Sequence, residues 1–181
     1  MKKFDQISLD DYSFKQVEVR LYLKEGETLY SAEPITGPDA AINILADLMK
    51  DLDREMVAVV NLDARNRPMN YNIVSIGSIN TSLAPIQNIL KSAILSNASA
   101  IILAHNHPSG CAKPSRADYE LTARLAEAGR LMEIPVLDHL ILGGDGDRYS
   151  FQQNNPELFR PTTQKEILNQ GKKPRVSELE R

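Results

Sequence analysis

The sequence predicts an α/β fold with α+β character, in which helices flank one mixed β-sheet. Two observations predict it. Segments with apolar residues at helical spacing alternate with short, nearly continuous apolar runs. The runs are rich in valine and isoleucine and are bounded by polar, glycine- or proline-containing turns, as buried strands are. No internal repeat or low-complexity tract interrupts this alternation in the sequence.

Composition along the chain predicts three parts. Residues 1–37 are interpreted as an N-terminal arm that contains one strand-like segment, at 14–24. Residues 38–152 form the expected domain. Residues 153–181 are polar and are expected to form a flexible tail.

Within the domain, the elements follow from apolar spacing and from start and stop signals. Pro38 and Pro85 suit the start of a helix, where the missing N–H has no partner to lose, and Ser115 suits an N-cap. Helices are predicted at 38–52, 85–97 and 115–132, and strands at 56–62, 69–79, 100–104, 136–142 and 149–151. The third helix is expected to bury a stripe of Ala117, Leu121, Leu125, Ala128 and Met132.

Composition also excludes several classes of protein. Of the 181 residues, 42% are hydrophobic, which supports one core and excludes wholesale disorder. The formal net charge of −3, from 21 Lys and Arg against 24 Asp and Glu, disfavours a general nucleic-acid ligand and leaves only a local basic patch open. The longest apolar runs are too short to cross a bilayer, so no membrane association is expected.

Cysteine usage bears on the compartment. Cys111 is the only cysteine, so an intramolecular disulfide is excluded. No signal-peptide pattern follows Met1. Both features predict a cytoplasmic protein.

Candidate metal-binding residues directly follow the predicted strand at 100–104. His105 and His107 are two residues apart, so in an extended chain both imidazoles point to one side. Two imidazoles aimed at one point suit zinc, which binds imidazole at about 2.1 Å. A pair of surface loop histidines is the simpler alternative for a bare His-x-His pattern.

Asp118, in the first turn of the next helix, is the best-placed third ligand. The alternative is that Ser115 and Asp118 form a capping box, which would only stabilise the start of the helix. The two roles are compatible, and the sequence leaves both open. Three protein ligands would leave a fourth position for water, as in a catalytic zinc site. Such a site benefits from a general base, for which Glu55 is one candidate that spacing alone does not select.

These residues together match a known arrangement, the JAMM motif. Glu55 precedes a His-x-His pair, which is followed by seven residues, Ser115, two residues and Asp118. Further matching segments are Asp53-Arg54-Glu55, Gly77-Ser78-Ile79-Asn80, His105-Asn106-His107-Pro108-Ser109-Gly110, Pro114-Ser115-Arg116-Ala117-Asp118 and Leu137-Asp138-His139. Over about residues 38–152 the chain resembles the RadC-like (UPF0758) branch of the JAB/MPN zinc metalloproteases.

The resemblance implies a fold and a mechanism. The implied fold is a curved mixed sheet flanked by helices, with the cytidine deaminase-like architecture of JAB/MPN domains. It implies one Zn²⁺ per chain, with His105, His107 and Asp118 as ligands. Glu55 corresponds to the base that takes a proton from the activated water, and Ser115 to the donor that stabilises the oxyanion. The implied reaction is hydrolysis of a peptide or isopeptide whose identity the motif does not reveal.

Three more residues are assigned to the surroundings of the metal. Asp138 and His139 lie in the strand at 136–142. His139 is an alternative to Asp118 as third ligand, but the resemblance places it outside the ligand set, and a hydrogen-bonded structural or supporting role is expected instead. Cys111, four residues after His107, is near enough in sequence to approach the metal, although an inert loop cysteine is the simpler interpretation.

Two other functions stay open at this point. One is a non-catalytic zinc-containing accessory module that binds a protein or DNA partner in DNA repair or on mobile elements. The other is a metal-dependent nuclease, which the acidic balance disfavours. Residues 1–37 lack the hairpin glycines of the helix-hairpin-helix module that longer family members carry, so direct nucleic-acid binding is not expected. A homo-oligomer is compatible with the sequence.

Overall fold

The computed structural model describes residues 38–49, 52–77 and 84–160. The predicted strand at 14–24 and the end of the predicted tail, 161–181, lie outside this part of the chain. The helices are α1 (Pro38–Met49), α2 (Ile86–Leu95), α3 (Arg116–Leu131) and α4 (Phe151–Asn154), followed by a 3₁₀ turn (Pro156–Phe159). The strands are β1 (Glu55–Leu62), β2 (Pro68–Gly77), β3 (Ala100–Asn106), β4 (Val136–Leu142) and β5 (Arg148–Ser150).

The five described strands form one sheet in the order β2-β1-β3-β4-β5. The pair β3 and β4 is parallel, whereas the other neighbours are antiparallel. Parallel neighbours need a long crossover connection, and α3 lies in that connection. The prediction of a mixed sheet flanked by helices is therefore confirmed.

Helices cover both faces of the sheet, which explains why the central strands are apolar throughout. In β1, Met56 and Ala58 pack on the face covered by α1, while Val57 and Val59 pack on the opposite face with residues of α2 and α3. None of the helices in the described ranges is long and apolar enough to cross a membrane.

Strand β3 runs two residues further than predicted. His105 pairs with both β1 and β4, Asn106 pairs with β4, and both are buried although their side chains are polar. Apolar patterning ended the predicted strand at 104 because it assumes that buried strand residues are apolar. The first histidine of the pair is therefore held by strand hydrogen bonds.

The buried face of helix α3 overlaps the predicted stripe but is rotated from it. Two members of the predicted stripe are buried, Leu121 and Leu125, and two are exposed, Ala117 and Met132. The buried face contains Asp118 and Thr122 instead, which are 0% and 1% exposed. Polar residues on a buried helix face need partners. Asp118 lies beside His105 at the end of β3, and Thr122 lies beside His139 of β4.

Candidate metal centre and adjoining cleft

Strand β3 and helix α3 bring the three predicted ligands together. His105 lies on the same face of β3 as Leu103, which packs with residues of α2 and α3. The Nε2 atoms of His105 and His107 are 3.0 Å apart. Nε2 of His105 is 3.2 Å from Oδ1 of Asp118, and Nε2 of His107 is 3.7 Å from Oδ2.

The ring of His107 is oriented by the loop that follows it. Its Nδ1 lies 2.8 Å from the backbone carbonyl oxygen of Cys111. A carbonyl oxygen can only accept, so Nδ1 carries the proton of that hydrogen bond. In the neutral ring, Nε2 is then left with a lone pair directed at the cluster.

The carboxylate of Asp118 is divided between two tasks. Its Oδ2 accepts hydrogen bonds from the backbone N–H and the hydroxyl of Ser115, at 2.7 and 2.6 Å. Its Oδ1 is buried and has no hydrogen-bond partner. Burial alone would raise the pKa of Asp118, but the neighbouring His105 and the hydrogen bonds from Ser115 hold that pKa below its usual range. The group is therefore an anion near neutral pH.

The capping box and the ligand role do not compete. Ser115 and Asp118 form a complete capping box, in which the hydroxyl of Ser115 accepts from the backbone N–H of Asp118 at 3.3 Å. The box uses Oδ2 and leaves Oδ1 free. The two alternatives that the sequence left open are structurally compatible.

The donor set fits a zinc ion. The ligand atoms of His105, His107 and Asp118 all lie within 4.8 Å of one another. Atoms bound about 2.1 Å from a tetrahedral zinc are about 3.4 Å apart, close to the separations found at this cluster. A buried carboxylate oxygen without a donor beside imidazole nitrogens calls for a cation, and two imidazoles with one carboxylate are a typical catalytic zinc set.

Glu55 lies beside this cluster. Val57 pairs with His105 at the end of the antiparallel β1–β3 register, and Glu55, two residues before Val57, lines the same cleft as His107. The alternation of side chains puts Glu55 on the same face as Val57. Glu55 is partly buried and lines a cleft of about 320 Å³ together with His107, Ser115 and Asp118.

Asn106 supports the backbone around Glu55, a contact that the sequence analysis did not single out. Its Oδ1 accepts from the backbone N–H of Met56 at 2.7 Å, and its Nδ2 donates to the backbone carbonyl of Arg54 at 3.1 Å. These bonds hold the chain on both sides of Glu55. The available signal was an amide between two histidines, at the end of an otherwise apolar strand.

The glycine-rich turn after β4 supports the loop that carries His107. A Cβ on Gly143 would lie 2.5 Å from the carbonyl oxygen of Gly110, a contact that no side chain tolerates. The N–H of Gly144 donates to that same oxygen at 2.8 Å, and Gly110 itself has a φ of +82°. The glycines here allow close packing of two turns.

Of the three residues predicted to surround the metal, only His139 contacts a predicted ligand with its side chain among the hydrogen bonds described. His139 contacts a ligand directly, with its Nε2 2.9 Å from Nδ1 of His105. Asp138 instead accepts from the hydroxyl of Ser150 at 2.6 Å and from the N–H of Gln152 at 2.8 Å, and burial raises its pKa. Cys111 has an exposed thiol and contributes its backbone carbonyl to His107.

The environment of His139 keeps its ring neutral. The side chain is 0% exposed and stacks on Phe151, with ring centroids 5.0 Å apart and an interplanar angle of 9°. Burial lowers the pKa of His139 well below its ordinary value. Its Nδ1 lies 2.6 Å from the hydroxyl oxygen of Thr122, another residue that the sequence analysis did not single out.

Fold and site together define an α/β domain with a candidate metal centre of two histidines and one aspartate. The family model described as "RadC-like JAB domain" matches residues 35–156. The chain belongs to the RadC-like JAB domain family, and the predicted resemblance is confirmed.

Curated relatives agree with this assignment. A UPF0758 protein of Caldanaerobacter subterraneus is 45% identical over 119 residues, which are 66% of this chain and 51% of the relative. A UPF0758 protein of Moorella thermoacetica is 42% identical over 145 residues, covering 78% of this chain and 63% of the relative. The chain spans about half to two thirds of the length of these curated relatives.

Proposed function

We propose that this chain is a zinc-dependent hydrolase of the JAMM type, which cleaves the amide bond of a peptide or isopeptide. The observation that carries the proposal is the buried, unpartnered Oδ1 of Asp118 beside His105 and His107, at the edge of the cleft that Glu55 lines. A zinc ion held by these three residues would supply Lewis acidity to a water molecule and to the scissile carbonyl.

Glu55 is the proposed general base. Glu55 is the first residue of β1, and Asn106 holds the backbone on both sides of it by hydrogen bonds. From this position, the carboxylate takes a proton from the attacking water and passes it to the leaving amine. Neither step needs Glu55 to touch the metal, which is consistent with its place outside the three-residue cluster.

Ser115 is the proposed oxyanion donor. Its hydroxyl donates to Oδ2 of Asp118, and it lines the same cleft as Glu55. When the hydroxyl turns toward a tetrahedral oxyanion, Oδ2 keeps the hydrogen bond from the backbone N–H of Ser115. The carboxylate therefore stays in position while the serine changes partner.

The shape of the site favours an extended substrate. A second cleft of about 600 Å³ adjoins the first one at His107 and Pro108 and is bounded by α1 and the turn after β4. A chain lying across His107 would have room on both sides of the scissile bond. That arrangement suits an amide within a longer chain.

The charges lining these clefts disfavour a phosphodiester. Glu55 and Asp118 line the smaller cleft beside one lysine, Lys113, while Asp145 and Asp147 line the larger one beside Arg148. This balance agrees with the formal net charge of −3 for the chain. A nuclease would be expected to present an excess of cations to its substrate.

The test is hydrolysis by the zinc-loaded protein and its Glu55→Gln variant, on pools of peptides and of isopeptide-linked peptides. We expect Glu55→Gln to lower kcat by about 10²–10⁴-fold, because the general base is lost. Zinc content should stay at the wild-type level.

Glu127→Gln is the matched control, since Glu127 is an exposed carboxylate on α3 and lies outside both clefts. It should keep the wild-type rate. A wild-type rate in Glu55→Gln would contradict the assigned base. No turnover by the zinc-loaded wild type on either pool would favour the non-catalytic accessory module instead.

A further inference from the structure

Thr122 shows where one proton of the site must be. Its hydroxyl oxygen lies 2.6 Å from the backbone carbonyl oxygen of Asp118 and 2.6 Å from Nδ1 of His139. Two oxygens at that distance need a proton between them, and a carbonyl cannot supply it. The single hydroxyl proton of Thr122 is therefore donated to Asp118, one turn earlier in α3.

The position of the Thr122 proton determines which nitrogens of His139 and His105 carry protons. With its own proton committed, Thr122 can only accept from His139, so Nδ1 of His139 carries a hydrogen. The ring of His139 is 0% exposed and stacked on Phe151, which disfavours a charged ring and leaves a lone pair on its Nε2. That nitrogen lies 2.9 Å from Nδ1 of His105, which must therefore donate.

We propose that Thr122 and His139 are positioning residues that keep a proton on Nδ1 of His105, so that Nε2 is the nitrogen available to a metal. The relevance of this tautomer to metal binding rests on the zinc centre of the proposed function, whereas the tautomer itself does not. Asp118 stands at both ends of the chain of hydrogen bonds, with its carbonyl at the start and its carboxylate beside Nε2 of His105.

The surroundings keep this chain of hydrogen bonds in one arrangement. His105, Thr122 and His139 are at most 1% exposed, so water does not compete for their hydrogen bonds. The stack on Phe151 holds the ring plane of His139, and the edges of two tyrosine rings contact Phe151 in turn. A ring flip of His139 would break two buried hydrogen bonds at once.

The tautomers can be read directly by ¹⁵N NMR of histidine-labelled full chain. The sequence contains only three histidines, and all three lie in this site. In the metal-free protein we expect both His105 and His139 to carry a proton on Nδ1. An Nδ1 without a proton in either residue would overturn the proposal.

Two substitutions of Thr122 test the consequence for metal binding. Thr122→Val keeps the shape of the side chain but removes the acceptor for His139, and should weaken zinc binding by about 10–100-fold in competition with a chelator. Thr122→Ser keeps the hydroxyl and should restore the affinity and the tautomers of the wild type. Thermal unfolding of both variants controls for a merely structural effect.

The outcomes separate this inference from the proposed function. Wild-type zinc affinity and unchanged tautomers in Thr122→Val would overturn the inference and leave the hydrolase proposal intact. Expected tautomers in a wild type that takes up no zinc would support the inference and remove the hydrolase proposal.

Discussion

The two histidines of the candidate metal centre belong to two differently built sides of it. His105 lies within β3, is 0% exposed, and hydrogen bonds to another buried ring. His107 follows β3, has a side chain that is 13% exposed, and hydrogen bonds to a backbone carbonyl of its own loop. The buried side holds its ligand rigidly, while the loop side brings its ligand to the cleft where a substrate would bind.

The largest expected effects come from alanine substitutions of His105 and His107, which should differ in their cost to stability. We expect His105→Ala and His107→Ala both to abolish stoichiometric zinc binding, because each removes one of three ligands. In metal-free protein, His105→Ala should lower the free energy of unfolding by about 2–4 kcal/mol, since it opens a cavity and leaves Nε2 of His139 without a donor.

His107→Ala should lower the free energy of unfolding much less, because its side chain is partly exposed and borders both clefts. Denaturant unfolding of the two metal-free variants measures the difference. Equal loss of stability would show that the buried side is not the more rigid one.

A smaller loss of stability is expected from substitution of Asn106. This residue lies between His105 and His107 and hydrogen bonds to the backbone on both sides of Glu55. Asn106→Ala leaves the N–H of Met56 and the carbonyl of Arg54 without their partner, at a cost of about 1–3 kcal/mol in the free energy of unfolding. Because Glu55 is then less well held, kcat should fall by more than zinc affinity does.

The control for Asn106→Ala is Asn72→Ala, which removes an exposed amide from β2. It should leave stability, zinc affinity and kcat close to wild type. If Asn106→Ala lowered zinc affinity and kcat by the same factor, Asn106 would be supporting the ligands rather than the base.

The sequence predicted the sheet, the three main helices and the three-residue cluster, because these follow from local periodicity and from motif spacing. It did not predict that β3 includes His105 and Asn106, or that α3 buries Asp118 and Thr122. Apolar periodicity treats a polar residue as a sign of the surface. At this centre, polar side chains are buried because they hydrogen bond one another across elements that are distant in sequence.

Asp118 shows the same limit in a single residue. The Ser-x-x-Asp pattern is compatible with a helix cap and with a metal ligand, and sequence alone could not choose between them. The structure shows a complete capping box on one oxygen and an unpartnered second oxygen that faces the histidines. The two roles are distinguished by the hydrogen-bond partners of each carboxylate oxygen, and residue spacing in the sequence does not predict those partners.

The most direct test of the metal centre is zinc content per chain, measured by elemental analysis on zinc-loaded and desalted protein. The samples are wild type, Asp118→Ala, and a control, Glu120→Ala, which removes an exposed carboxylate two residues along the same helix. Thermal unfolding verifies that Asp118→Ala is folded, since loss of the capping box costs about 1 kcal/mol. We expect one zinc per chain in wild type and control and much less in Asp118→Ala. No zinc in the wild type, or a full equivalent in folded Asp118→Ala, would contradict the metal centre.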